Sequence, residues 1–103
     1  MKNYNLRAIG VEIRNGEYVV VPLSTYEAQT SVKQCYEQLK CWAKEYGYLI
    51  ISYEIKEDIT RPIATSRLSP LGVVLPNDKE DFKALVDKCV EKFERLIQEN
   101  ENK

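Results

Sequence analysis

Ten residues gather side chains of the types that grip an anion. Thr60-Arg61-Pro62-Ile63-Ala64-Thr65-Ser66-Arg67-Leu68-Ser69 carries two guanidinium groups and four hydroxyls. Planar guanidinium forks pair with phosphate or carboxylate oxygens through parallel hydrogen bonds, and hydroxyls complete such sites. On a regularly alternating strand Arg61, Thr65 and Arg67 share one face, with Ile63 between them. The candidate anion-binding set is therefore Arg61, Thr65, Ser66 and Arg67, with Lys56 and Arg14 as helpers. Its ligands would be a small anion, a nucleotide or a nucleic-acid backbone. The competing reading, which such residues serve more often, is a solvated edge strand whose charges discourage aggregation. No glycine-rich phosphate loop accompanies the arginines.

Other chemistry is thinner. Glu54, Glu57 and Asp58 cluster where a strand should end, and paired carboxylates bind divalent cations. They lack the Asp-x-Asp spacing of a calcium loop and read more simply as a charged turn. Cys35, Cys41 and Cys89 form no Cys-x-x-Cys pair, so neither a disulfide framework nor a metal knuckle is expected. There is no histidine, which removes the Ser-His-Asp and Cys-His arrangements and the common zinc sites. The expectation is a non-enzyme with no catalytic residue, no metal and no cofactor.

Fifteen basic and sixteen acidic residues leave a net charge of −1 over 103 residues. A strongly basic balance, the footprint of sequence-tolerant nucleic-acid binding, is missing. The N-terminus has no apolar run of signal-peptide type, and no stretch approaches the ~20 apolar residues that span a bilayer. A cytoplasmic location without membrane attachment is the default expectation.

The elements that must position these side chains follow from local signals. Asn15-Gly16 lies between two β-rich runs, and Asn-Gly suits the positive φ angles of a two-residue type I′ turn. That register pairs Arg14 with Glu17, Ile13 with Tyr18, Val11 with Val20 and Ile9 with Pro22. Pro22 should end the second strand or mark a sheet edge. Ser24-x-x-Glu27 reads as a capping box opening a helix from about Thr25 to Tyr46. Its apolar stripe is Ala28, Val32, Cys35, Tyr36, Leu39, Ala43 and Tyr46, and Gly47 stops it. Tyr48 to Ile55 is a central strand with Leu49, Ile51, Tyr53 and Ile55 inward. Ile59 to Leu68 reads either as a fourth strand, placed at an edge by Pro62, or as irregular chain. Asn77-x-x-Glu80 caps a last helix with the stripe Phe82, Leu85, Val86, Cys89, Val90, Phe93, Leu96 and Ile97.

The expected fold is α+β. It has a three- or four-stranded, mostly antiparallel sheet with two amphipathic helices on one face, in the order ββαβ(β)α. Residues 1–98 make one domain and 99–103 a polar tail. One hairpin face reads Ile9, Val11, Ile13, Tyr18 and Val20, and the other Leu6, Ala8, Gly10, Val19, Val21 and Leu23. Helices cover only one side, so the second apolar side should meet a partner. Leu6, Ala8, Val19, Val21 and Leu23 are the expected dimer or partner interface, unless Leu68 to Leu75 folds across them. Trp42 and Tyr26 are candidate surface anchors.

The functional expectation is a small binding module acting through protein–protein interaction as a homodimer. Accessory proteins of viruses and mobile elements share this general character, by analogy alone. The alternative is a nucleic-acid or nucleotide-phosphate binder using the Arg61/Arg67 segment.

Overall fold

The computed structural model describes residues 3–25, 28–58, 61–67 and 78–101. Its order is β1 (Tyr4–Arg14), β2 (Glu17–Ser24), α1 (Val32–Tyr46), β3 (Leu49–Glu57), β4 (Arg61–Arg67) and α2 (Lys79–Glu101). The four strands form one antiparallel sheet in the order β2-β1-β3-β4. This is the expected α+β class, with the fourth strand present.

The hairpin is set by its turn. Asn15 and Gly16 take φ values of 53° and 80°, the left-handed pair that a type I′ turn requires. All four pairs read from the turn are found, from Arg14 with Glu17 to Ile9 with Pro22. Pro22 does not end β2, which continues to Ser24. It sits instead on an edge strand, where its missing N–H costs the ladder nothing.

The first helix starts later than the Ser24 cap implies. Ser24 belongs to β2, and Tyr4 bridges to Gln29 as the chain passes. The cap is Ser31, whose hydroxyl accepts the Gln34 amide at 3.1 Å. Gln34 reaches back to the Thr30 N–H at 2.8 Å. Ser31-x-x-Gln34 is itself a capping-box spelling, and it prevails because residues before it are held by the sheet. Gly47, at φ 73°, closes the helix with its N–H on the Trp42 carbonyl. Asp78 opens α2, its carboxylate accepting the Glu80 N–H at 2.9 Å; Asn77 and Glu27 lie outside the described residues. The tail expected from residue 99 is helical through Glu101, whose carboxylate lies 3.3 Å from Lys33 Nζ.

The helices pack on each other and on one side of the sheet. Phe93, Leu6, Leu39, Ile55 and Cys35 are the largest of the fully buried side chains. The expected stripes hold, except that Ala28 and Tyr46 are exposed. Trp42, expected as a surface anchor, is buried beside Ala43. Tyr26, the second anchor, lies outside the described residues.

The buried set changes along β1 near a bulge in β3. Ile9 pairs with Ser52 and Gly10 with Ile50, so Ile51 has no partner in β1. Before the bulge the even residues Leu6 and Ala8 are buried; beyond it Val11 is buried and Ile13 and Tyr18 pack on the core. An extra residue raises local twist and re-aims the chain. The Tyr18 ring lies 5.7 Å from Phe82 on α2.

Candidate binding surface

The expected interface divides. Leu6 and Ala8 are 1% and 5% exposed in the core beneath the helices, so neither is available to a partner. That corrects the assignment of faces. The two-period pattern left both faces apolar, and only the placement of β3 selects the even residues for the core. Val19, Val21 and Leu23 are half-buried on β2. Leu23 packs on the core, whereas Val19 and Val21 are not among the side chains that do.

The side away from the helices carries the other residues. Across the strands β2, β1 and β3 its rows read Ser24, Arg7, Glu54 and then Pro22, Ile9, Ser52. These six residues and Lys56 line one open groove. Ile9 is 38% exposed and Val20, two residues from Pro22, is 63% exposed. Lys56 Nζ stands 3.1 Å from Glu54 Oε1. The surface is thus an apolar pair, Ile9 and Pro22, beside a charged strip of Arg7, Glu54 and Lys56, with Val20 exposed further along β2. Sequence reasoning missed this set because it gave Ile9 and Val20 to the core side.

A register shift divides the anion-binding set along β4. This shift beside Ile55 leaves Ile63 unpaired, with Lys56 opposite Pro62 and Glu57 opposite Arg61. Thr65 and Arg67 pair with Glu54 and Ser52 of the open side, while Ser66 pairs with Tyr53 and Arg61 with Glu57 of the core side. The alternation that would join Arg61 to Thr65 and Arg67 is broken by that one residue. Arg14 is engaged by Glu12 at the hairpin tip.

The carboxylates separate too. Glu54 pairs with Lys56, Glu57 is buried on the core side, and Asp58 accepts the Asn3 N–H at 3.3 Å. Among the described residues no three His, Cys, Asp or Glu side chains come together as a metal site. Burial pushes the Cys35 thiol up to about 11 and raises Cys89, whose Sγ lies 4.0 Å from the Ile50 carbonyl oxygen. Both stay protonated at neutral pH, and a protonated thiol is a poor nucleophile. Cys41 is half-exposed on α1. The segment Leu68 to Leu75, the expected alternative cover, lies outside the described residues.

No helix among the described residues is long and apolar enough to cross a membrane. Compared with known proteins, the chain matches no family model, no curated protein and no solved structure.

Proposed function

We propose that this protein is a non-catalytic binding module that acts through protein–protein interaction, as a homodimer associating through its β1–β2 ribbon. The observation that supports this reading is that, among the described residues, only one side of the sheet is covered. Both helices pack on the side of Leu6, Ala8, Tyr53 and Ile55, while Ile9 and Val20 stay exposed beside Pro22. Contiguous apolar side chains rimmed by charge are the ordinary composition of an interaction surface. Arg7 and Lys56 with Glu54 put both signs of charge on that surface, which suits self-association about a two-fold axis.

A dilution series of amide correlation spectra tests it. Between millimolar and micromolar protein, the amides of Ile9, Val20 and Ser52 should shift, while those of α2 near Glu91 hold still. Spectra that superimpose throughout would remove self-association.

One observation favours a second reading, binding of a phosphate-bearing ligand. The register puts Thr65 and Arg67 opposite Glu54 and Ser52, in the rows that hold Arg7 and Ile9. Affinity for a labelled oligonucleotide should then fall steeply with salt, because bound phosphates release counterions.

A further inference from the structure

Resting on that homodimer reading, we propose that the second copy docks edge to edge, β2 against β2, antiparallel about a two-fold axis at Val19. The sheet would then run on through both copies.

Hydrogen-bond phase comes first. A two-residue turn makes Arg14 and Glu17 a hydrogen-bonded pair, and such pairs alternate with non-bonded ones along an antiparallel ladder. Glu17, Val19, Val21 and Leu23 therefore spend their backbone groups on β1. Tyr18, Val20, Pro22 and Ser24 point theirs away from it. The Thr25 N–H to Leu6 carbonyl bond, at 3.3 Å, keeps the same phase. Among the described residues β2 is an edge strand of the sheet, so Tyr18 and Val20 offer donors and acceptors outward.

The two edges of the sheet differ. β4 carries Arg61, Pro62 and Arg67 and a register shift, the devices by which edges resist pairing. From Tyr18 through Ser24, β2 has no charged residue, and Val20 on it is 63% exposed. Pro22 is its single guard.

Pro22 also selects the register. Pairing about Val19 sets Tyr18 opposite Val20 of the other copy and Val20 opposite Tyr18. Each of these positions has an N–H, so every bond in the paired stretch is made. Pro22 then falls opposite the other copy's Gly16, where a Cβ would meet nothing within 4 Å. The pairing places an aromatic against a β-branched side chain twice, and Val19 against Val19, a favourable set of cross-strand neighbours. An antiparallel strand supplies donors and acceptors at the same positions to its own copy, so the edge is self-complementary.

Site-directed cross-linking tests this in the full chain with Cys41→Ser. Val19→Cys places two thiols at a non-hydrogen-bonded pair with Cα atoms about 4.5 Å apart, within disulfide reach. Mild oxidation should convert it to a covalent dimer. Val21→Cys, whose neighbour across the axis is Glu17, should stay a thiol. Val20→Lys should give a monomer with unchanged circular dichroism. A parent that is monomeric at millimolar concentration overturns both the edge pairing and the homodimer reading. A dimeric parent in which Val19→Cys stays reduced overturns the edge pairing alone and leaves the homodimer reading standing.

Discussion

The ring of Phe93 on α2 stands edge-on to Tyr53 in the middle of β3, with 5.8 Å between centroids and 71° between planes. Tyr36 on α1 meets the same ring at 5.9 Å and 84°. Tyr53 thus joins both helices to the sheet. Phe93 is 2% exposed, and its truncation leaves a void that close-packed neighbours fill only in part. Phe93→Ala should cost about 3–5 kcal/mol. Urea denaturation should show the loss as a lower midpoint with an unchanged slope.

Tyr18 supplies the opposite case. Its hydroxyl is buried with no hydrogen-bond partner among the described residues, so the ring contributes packing against Phe82 while the oxygen pays for desolvation. Tyr18→Phe should leave stability unchanged or raise it by about 1 kcal/mol. Thermal denaturation of the two proteins side by side gives the sign.

Gly10 is held by proximity. A Cβ there would lie 3.1 Å from Tyr48 Cβ and 3.2 Å from Leu23 Cδ1. Gly10→Ala should destabilise the protein by about 1–3 kcal/mol, because neighbouring side chains on β2 and before β3 must shift. Chemical denaturation beside Gly16→Ala separates causes: the second variant clashes with nothing and suffers only from its φ of 80°.

Stability should fall at high pH. Cys35 is fully buried, and its thiol is raised by desolvation from 9.0 to about 11. Below 9 both folded and unfolded chains hold the proton. Between 9 and 11 the unfolded chain releases it while the folded chain keeps it, so unfolding is favoured progressively as pH rises. The whole interval amounts to about 2–3 kcal/mol. Cys35→Ala should start lower and lose less over the same range, as read from denaturation midpoints at pH 8 to 11.

Much of the fold was legible because its signals are local. Asn15-Gly16 dictates its own turn and, through it, every β1–β2 pair. The spacing from Phe82 to Ile97 marks one face of a helix whatever surrounds it. The start of α1 was harder, since Ser24 and Ser31 both spell a cap and the choice depends on how far β2 pairs with β1. The binding surface was the least legible part. Ile9 and Ala8 belong to equally apolar rows, and the burial of Ala8 is decided by Tyr53 across the sheet. Likewise Arg61 leaves the row of Arg67 through a single unpaired residue in β4, which no local periodicity records.

Self-association through the β1–β2 ribbon is tested most directly by solution mass from light scattering over a concentration series, with Val20→Glu beside the parent. The parent should approach twice the chain mass of 12.0 kDa, and the variant should fall to the single-chain mass with its fold intact. A parent that holds 12.0 kDa at millimolar concentration would contradict it.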